Sequence, residues 1–143
     1  MALFYADASA LVKLVLDEPQ SGALRAYFDG ADVCSCELVL AEVPRAVRRA
    51  VARDPALPLS TLQARAEQVI DAIALASIDA GLLKAAGALS EPILRALDAI
   101  HVVAAATLVP IDAFVTYDER QAAAARLAGL RTVSPGAVMT SSR

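Results

Sequence analysis

The chain has 143 residues and a net charge of −3 at pH 7, and 57% of its residues are hydrophobic. A chain of this length can bury a core of its own, so we expect a single domain over residues 1–143. The acidic balance excludes a protein that holds nucleic acid mainly through a basic surface. Only 4% of the residues are aromatic, which leaves little material for stacking single-stranded bases.

The amino terminus and the cysteines indicate the compartment. The chain reaches Asp7 without a basic region, which is not typical of a signal peptide. The longest membrane-like stretch, residues 99–111, is shorter than the roughly 18 residues that a spanning helix needs. Cys34 and Cys36 are the only cysteines and His101 is the only histidine, so we expect no zinc site of the Cys/His kind. Two free thiols suit a reducing cytosol, and we expect a soluble, cytoplasmic protein.

In chain order, short apolar runs that predict strands alternate with longer segments of helical spacing. The predicted strands are Leu3–Ala6, Ala31–Ser35, Ala76–Ile78, Ala113–Thr116 and Leu130–Val133. The predicted helices are Ala8–Leu16, Ser21–Phe28, Glu37–Arg53, Ser60–Leu75, Ala80–Leu89, Ile93–Leu108 and Glu119–Ala128. This alternation predicts an α/β fold, in which helices cover both faces of a short parallel sheet.

Single residues predict how some of these elements begin and end. Ser60 with Gln63 resembles a capping box, and Asp79 is expected to cap the helix that follows it. Pro44 lies inside the pattern of the third helix, where it either kinks the helix or marks its first turn. The tail from Ser134 onward is expected to be frayed.

Four acidic residues interrupt apolar stretches and are therefore candidates for a functional site. Asp7 and Asp118 each follow a predicted strand, and ligands of open parallel sheets bind beyond the carboxyl ends of the strands. Glu42 and Asp98 lie among apolar neighbours in predicted helices. A carboxylate in such a place is costly unless another group satisfies it. We therefore expect the four side chains to meet.

The sequence leaves ordinary explanations open for each of these acids. Asp7 and Asp118 could simply cap the helices that follow them, and Asp98 could lie on a solvated helix face. Glu42 could pair with Arg45 or Arg49 at helical spacing. Each explanation is reasonable for one residue, but all four acids being incidental is harder to accept.

Carboxylates that converge cannot all stay ionised without compensation, because like charges raise one another's pKa. A hard divalent cation supplies that compensation, and a site made of carboxylates suits Mg²⁺ or Mn²⁺ better than Zn²⁺. Such an ion can lower the pKa of a bound water and orient it toward a phosphate. The acids therefore predict metal-assisted chemistry on a phosphate, and the metal would draw a polyanion to an acidic protein.

Four segments resemble the PIN-domain ribonucleases and, within them, the VapC toxins of bacterial toxin–antitoxin pairs. The segments are 5–13, 40–43, 94–101, and 114–118 together with 122–125 and 129–130. The resemblance implies a PIN-like three-layer sandwich and a metal-dependent endoribonuclease. It also implies a homodimer and inhibition by a cognate, VapB-like antitoxin. Its catalytic and metal-binding acids would be Asp7, Glu42, Asp98 and Asp118.

The same resemblance adds two hydroxyl groups to the expected site. Ser9 and Thr116 match positions near the acids, where they would hold a ligand carboxylate or a water. Pro44 stands where an ordinary helix former is expected, which leaves the geometry around Glu42 open.

Several basic residues near the acids have two interpretations. Arg45 and Arg49 lie on the turns next to Glu42, where they either grip RNA phosphates or form a solvated face. His101 is one turn from Asp98, and a lone histidine in an apolar helix is more often a packed residue than a water-orienting group or an acid. Lys13 is expected to be solvated at the end of the first helix.

Two other functions remain open from the sequence. A small α/β phosphotransferase could use Asp7 as its nucleophile, although such enzymes usually carry a second Asp two residues later and this chain has Ser9. A non-catalytic PIN-like interaction module would keep the fold with a degenerate site. The sequence predicts neither which RNA is cut nor how many metal ions one site holds.

Overall fold

The computed structural model describes residues 1–137, in which helices and strands alternate along the chain. The strands are β1 (Leu3–Ala6), β2 (Asp32–Cys36), β3 (Ala74–Ala76), β4 (Ala113–Val115) and β5 (Thr132–Val133). The helices are α1 (Ala8–Val15), α2 (Ser21–Phe28), α3 (Val39–Arg53), α4 (Leu59–Asp71), α5 (Ala80–Gly87), α6 (Ala96–Thr107) and α7 (Glu119–Leu127).

The five strands form one parallel sheet in the order β3-β2-β1-β4-β5. The central strand β1 pairs on both sides, so that Tyr5 lies opposite Cys34 of β2 and opposite Phe114 of β4. Side chains alternate between the two faces along a strand. Phe4 and Ala6 therefore pack on one face while Tyr5 packs on the other. The predicted α/β fold, a short parallel sheet with helices on both faces, is confirmed.

Two hydrophobic clusters hold the three layers together. The first joins one face of the sheet to α1, α2, α3 and α4, and the second joins the other face to α5, α6 and α7. In α3 the buried residues Val39, Val43 and Val47 recur every four residues, which gives the helix one apolar stripe toward the sheet. The thiols of Cys34 and Cys36 are free and buried in the second cluster, as the sequence predicted.

The alternation of elements was predicted correctly, but two helix starts were not. Helix α4 begins at Leu59 after Pro58, whose position has no side-chain cap, so the capping box at Ser60 is wrong. Helix α6 begins at Ala96 because Arg95 has an extended backbone, and not at Ile93 as predicted. This later start places an acidic side chain, Asp98, in the first turn of α6.

The other local predictions have clear outcomes. Asp79 caps α5 by accepting a hydrogen bond from the backbone N–H of Leu82, at 2.8 Å. Pro44 does not mark a first turn, since α3 begins at Val39 and continues through the proline to Arg53. Strand β3 and the end of α4 lie a few residues earlier than predicted.

The segment after β5 is held against the sheet in its described part. The hydroxyl of Ser134 donates to the carbonyl of Thr116 at 2.6 Å, and that of Tyr117 donates to the carbonyl of Pro135 at 2.7 Å. The predicted fraying is therefore wrong for residues 134–137, and the rest of that prediction lies outside the described residues. Among residues 1–137, no helix is both long and apolar enough to cross a membrane.

The first cluster supports a stability prediction. Leu11 is fully buried between α1 and its neighbours, so Leu11→Ala is expected to lower the free energy of unfolding by about 2–5 kcal/mol. The matched control is Leu127→Ala, because Leu127 is 75% exposed and its truncation should change that free energy by less than about 0.5 kcal/mol. Urea denaturation measures both values, and equal losses would contradict this description of the core.

Candidate active site

The four predicted acids line one cavity of about 630 Å³ at the carboxyl edge of the sheet. Asp7 directly follows β1, and Asp118 comes shortly after the neighbouring strand β4. Glu42 reaches the cavity from α3 and Asp98 from the first turn of α6. The fold therefore brings together side chains that are far apart in the sequence.

Asp7 is the most buried of these acids, with 4% of the residue exposed. Its Oδ1 accepts hydrogen bonds from the Ser9 hydroxyl at 2.6 Å and from the backbone N–H of Ala10 at 3.1 Å. Its Oδ2 accepts from the Thr116 hydroxyl. Asp7 thus caps α1 and also faces the cavity, so the ordinary explanation and the functional one are compatible. Ser9 and Thr116 hold a carboxylate of the site, as expected.

Burial and hydrogen bonding act on the pKa of Asp7 in opposite directions. Burial disfavours the charged carboxylate and raises the pKa, while the hydrogen bonds from Ser9 and Thr116 and the nearby charge of His101 lower it. Burial is the larger effect, so the pKa of Asp7 is raised above its ordinary value. In its ionised form Asp7 therefore costs the fold stability.

The pKa of Asp98 is affected by two other acids of the cavity. Its pKa is raised first by burial, and then by the negative charges of Asp118 and Glu42. His101 and Arg95 act in the opposite direction without overcoming these effects. The Asp98 side chain forms no hydrogen bond within the described part of the chain, which leaves both of its oxygens available to a ligand.

Asp118 is exposed, and its two carboxylate oxygens have different surroundings. Its Oδ1 accepts hydrogen bonds from the backbone N–H groups of Arg120 and Gln121, at 2.9 and 3.1 Å, so it caps α7 as the ordinary explanation proposed. Its Oδ2 has no hydrogen-bond partner among residues 1–137. One oxygen therefore stabilises the helix while the other remains free to bind a ligand in the cavity.

Glu42 is hydrogen-bonded to His101, which the sequence favoured as a packed residue. Its Oε1 lies 2.6 Å from Nε2 of His101, and the pairing with Arg45 or Arg49 that the sequence left open is not formed. The His101 ring is buried, as expected of a packed residue, yet its Nδ1 also lies 2.8 Å from the Tyr5 hydroxyl. The spacing from Asp98 to His101, three residues on one helix face, was the signal that this histidine lies at the site.

The charge state of His101 reflects its partners. Burial alone would lower the pKa of the imidazole, but the hydrogen bonds with Cys36 and Glu42 outweigh it and raise the pKa to about 10. Burial likewise acts against the thiolate of Cys36, and the hydrogen bond and charge of His101 lower the pKa of that thiol. At neutral pH the histidine therefore carries a proton on Nε2, which it donates to Glu42.

Basic side chains lie around the acids at two places. Arg45 and Arg49 are exposed on α3, line the same cavity and form no salt bridge within the part of the chain that the structure describes. Arg95 and Arg120, which the sequence analysis did not single out, line an adjoining cavity that shares Asp98 and Asp118 with the first. Cationic groups therefore flank the acidic centre.

Lys13 is not solvated as predicted. Its side chain is 12% exposed, its Nζ lies 2.6 Å from the Glu18 carboxylate, and it stands 4.7 Å from the ring centroid of Tyr117. These two partners, together with Oε1 of Gln20 at 3.0 Å from Nζ, cover the ammonium group and hold it in the wall of the cavity. The prediction failed because both partners meet Lys13 only through the loops that follow α1 and β4.

The donor chemistry of the cavity fits a hard divalent cation, although its present geometry is not a finished metal site. Four carboxylates line it, and free oxygens remain on Glu42, Asp98 and Asp118. Within residues 1–137, however, no three Asp, Glu, His or Cys side chains are already grouped for one metal ion. Metal binding by the four acids therefore stays a prediction, and it requires side chains to turn toward the ion.

Comparisons with known proteins agree with this fold. A family model described as the PIN domain matches residues 4–127. The chain is 34% identical to the ribonuclease VapC47 of Mycobacterium tuberculosis over 142 residues, covering 95% of this chain and 99% of that protein. It is 37% identical to ribonuclease VapC35 of the same species, with 94% and 98% covered.

Solved structures show the same fold at lower identity. The crystal structure of VapC20 from Mycobacterium tuberculosis, a sarcin-ricin loop cleaving toxin, superposes with a TM-score of 0.68 at 18% identity and covers 92% of this chain and 99% of that one. PAE2754 from Pyrobaculum aerophilum gives a TM-score of 0.64 at 19% identity, with 92% and 84% covered. The chain belongs to the PIN-domain family and, within it, to the VapC-type ribonucleases.

This membership removes one of the two alternative functions. A phosphotransferase would need Asp7 as an accessible nucleophile, but Asp7 is buried and both of its carboxylate oxygens accept hydrogen bonds. The alternative of a phosphotransferase is therefore wrong, on the family and on the geometry together.

The raised pKa of Asp7 supports a prediction about the metal-free protein. A carboxyl group whose pKa is raised on folding costs stability that grows as the pH rises through its folded pKa. Asp7→Asn keeps the shape and the hydrogen-bond acceptor for Ala10, so at neutral pH it is expected to raise the free energy of unfolding. The gain should be smaller at a second, lower pH, because the buried charge that costs stability disappears as Asp7 takes up a proton. Urea denaturation at both pH values measures this, and an Asn variant that is less stable at neutral pH would contradict it.

Proposed function

We propose that this protein hydrolyses RNA phosphodiester bonds as a metal-dependent endoribonuclease and acts as the toxin of a type II toxin–antitoxin pair. The observation that carries the proposal is the convergence of Asp7, Glu42, Asp98 and Asp118 on one cavity at the carboxyl edge of the sheet. The full-length relatives at 34–37% identity are named ribonucleases, which supports the choice of substrate.

The cation we assign to the cavity is Mg²⁺, with Mn²⁺ able to replace it, and the four acids would hold it. When bound, such an ion lowers the pKa of a water and offsets charge on the phosphate. The chain's own residues supply the rest. Ser9 and Thr116 keep the Asp7 carboxylate oriented. Glu42 is held through one oxygen by His101, and we assign its other oxygen to accept a proton from the attacking water.

The RNA would enter along α3. Arg45 and Arg49 line the cavity with their guanidinium groups unpaired by any described acid, which suits contacts to phosphates. Because the net charge of the protein is −3, these local cations and the bound metal must supply the attraction for a polyanion.

The proposed partners follow from the same cavity. A VapB-like antitoxin could insert an arginine, whose planar fork pairs with carboxylates, and so occupy the place of the metal and the RNA. We further propose a homodimer in the cytoplasm. Two observations would support the antitoxin partner: a neighbouring gene that encodes such a protein, and copurification of that protein with this one.

The nuclease proposal predicts the effect of losing one acid. Asp98→Asn is expected to reduce Mn²⁺-dependent cleavage of total bacterial RNA by about 100-fold or more, because changing groups that merely support metal ligands already costs about 10–100-fold. Asp71→Asn is the matched control, since Asp71 is an exposed acid on α4 and lines neither acidic cavity. Chelation of the metal should abolish the activity of the wild type, and added Mn²⁺ should restore it.

The same assay tests the remaining alternative. A non-catalytic PIN-like module would leave RNA intact with either metal and would show no thermal shift on addition of Mn²⁺. Equal cleavage by the wild type and Asp98→Asn would contradict the assignment of the acids.

The proposed RNA path predicts a change in the salt dependence of binding. In an Asp98→Asn background, which binds without cutting, Arg45→Gln is expected to weaken RNA binding and to reduce the slope of log affinity against log salt by about 0.7, the value for one phosphate contact on a single strand. Arg49→Gln should act alike. Arg53→Gln is the control on the same helix, because Arg53 does not line the cavity. Fluorescence anisotropy at several salt concentrations gives the slopes, and an equal change in the control would argue against this path.

A further inference from the structure

A chain of three hydrogen-bonded side chains leads from the interior of the protein to the cavity. The Tyr5 hydroxyl lies 2.8 Å from Nδ1 of His101, and Nε2 of His101 lies 2.6 Å from Oε1 of Glu42. Tyr5 is fully buried on the central strand, and His101 is 1% exposed. Glu42 and His101 both line the cavity, and Glu42 is the more exposed of the two, with 22% of its side chain exposed against 2% for His101.

Packing leaves the middle member little freedom to turn. The Tyr5 ring stacks on Phe114 with centroids 5.1 Å apart, and its edge meets the His101 ring at 5.9 Å with an interplanar angle of 77°. The Cys36 sulfur lies 3.6 Å from the same Nδ1. The imidazole is therefore held on its inner side by groups of β1 and β2, while its outer nitrogen points to α3.

The contact with His101 determines the orientation of the Glu42 carboxylate. A carboxylate only accepts hydrogen bonds, so the short contact requires a proton on Nε2 that is donated to Oε1. The side chain of a glutamate has several rotatable bonds, and this bond fixes its far end. Oε2 has no partner among the described residues and stays open to the cavity. One oxygen is thus anchored and the other is free.

We propose that Tyr5 and His101 are positioning residues, which hold the Glu42 carboxylate in the orientation needed by the divalent cation and the attacking water. This inference rests on the proposed function of the cavity. In this proposal α6 contributes to the site twice. It carries the acid Asp98 and, one turn later, His101, which orients Glu42 of α3. His101 is not itself assigned as a metal ligand.

A purely structural role makes a different prediction. If the chain of contacts only satisfied buried polar groups, substitutions in it would change thermal stability and leave the affinity for a metal ion unchanged. Groups that hydrogen-bond to metal ligands instead alter metal affinity by roughly 10–100-fold when they are replaced. The affinity for Mn²⁺ alone therefore separates the two roles.

The test compares two amides at the same position. In His101→Gln the amide nitrogen stands near the place of Nε2 and can still donate to Glu42, whereas in His101→Asn it stands near the place of Nδ1 and cannot reach it. Calorimetric titration with Mn²⁺ is expected to give a roughly 10–100-fold weaker affinity for His101→Asn and a clearly smaller loss for His101→Gln. Tyr5→Phe, which removes only the hydroxyl, should weaken the affinity less than His101→Asn. Thermal unfolding of each variant reports its folding separately.

A second measurement needs no metal. His101 is the only histidine, so ¹⁵N-histidine labelling of the untagged protein gives signals from one imidazole. The Nε2 proton is expected to be protected from exchange with water, to lose that protection in Glu42→Leu, whose side chain has no acceptor, and to keep it in the control Asp71→Asn.

The two measurements separate failure of this inference from failure of the proposed function. Equal Mn²⁺ affinities of the wild type and a folded His101→Asn would overturn the positioning role alone. An unprotected Nε2 proton in the wild type would overturn the contact on which the role depends. A wild type that keeps the protected proton but binds no Mn²⁺ would overturn the metal-dependent function, and the positioning role with it.

Discussion

The structure around the cavity depends on one electrostatic constraint, which is that several carboxyl groups lie close together at the edge of a buried sheet, where burial and mutual repulsion disfavour their negative charges. Asp7 shows how the fold meets it, because its two oxygens accept hydrogen bonds from α1 and from the segment after β4. The carboxylate thereby connects the ends of two neighbouring strands to the first helix. Even so, burial keeps the pKa of Asp7 above its ordinary value, so these hydrogen bonds offset only part of the cost.

The α6 helix extends this arrangement from one layer of the protein to the other. Its apolar residues pack in the cluster with β4 and α7, while Glu42 comes from α3 in the opposite layer. His101, which belongs to α6, connects the two layers through its hydrogen bond to Glu42. The packing of α6 therefore also places two residues of the cavity, since a displacement of this helix would move Asp98 and His101 together.

Periodicity was enough to predict the fold, because buried parallel strands and amphipathic helices leave strong local signals in the sequence. The four acids could be predicted for a related reason, since each interrupts an apolar run. Contacts made in three dimensions could not be read in the same way. The partner of Glu42 proved to be His101, 59 residues away, and Lys13 is covered by a tyrosine ring that only the fold brings near it. The late start of α6 also escaped prediction, because the extended backbone of Arg95 is not marked by any strong stop signal.

The electrostatics of Asp98 favour a ligand over a structural explanation of the acids. A carboxylate needed only for folding would be expected beside a cation or several N–H donors, as Asp7 and Asp118 are at their helix starts. Asp98 instead forms no hydrogen bond within residues 1–137, and the attraction of His101 and Arg95 does not overcome burial and the repulsion by Asp118 and Glu42. Such an arrangement is unfavourable for the protein alone and becomes favourable once positive charge arrives from outside. A divalent cation and the guanidinium group of a partner protein both supply that charge. The repulsion among the acids, which weakens the fold, would therefore favour binding of the catalytic metal ion and also binding of an inhibitory arginine.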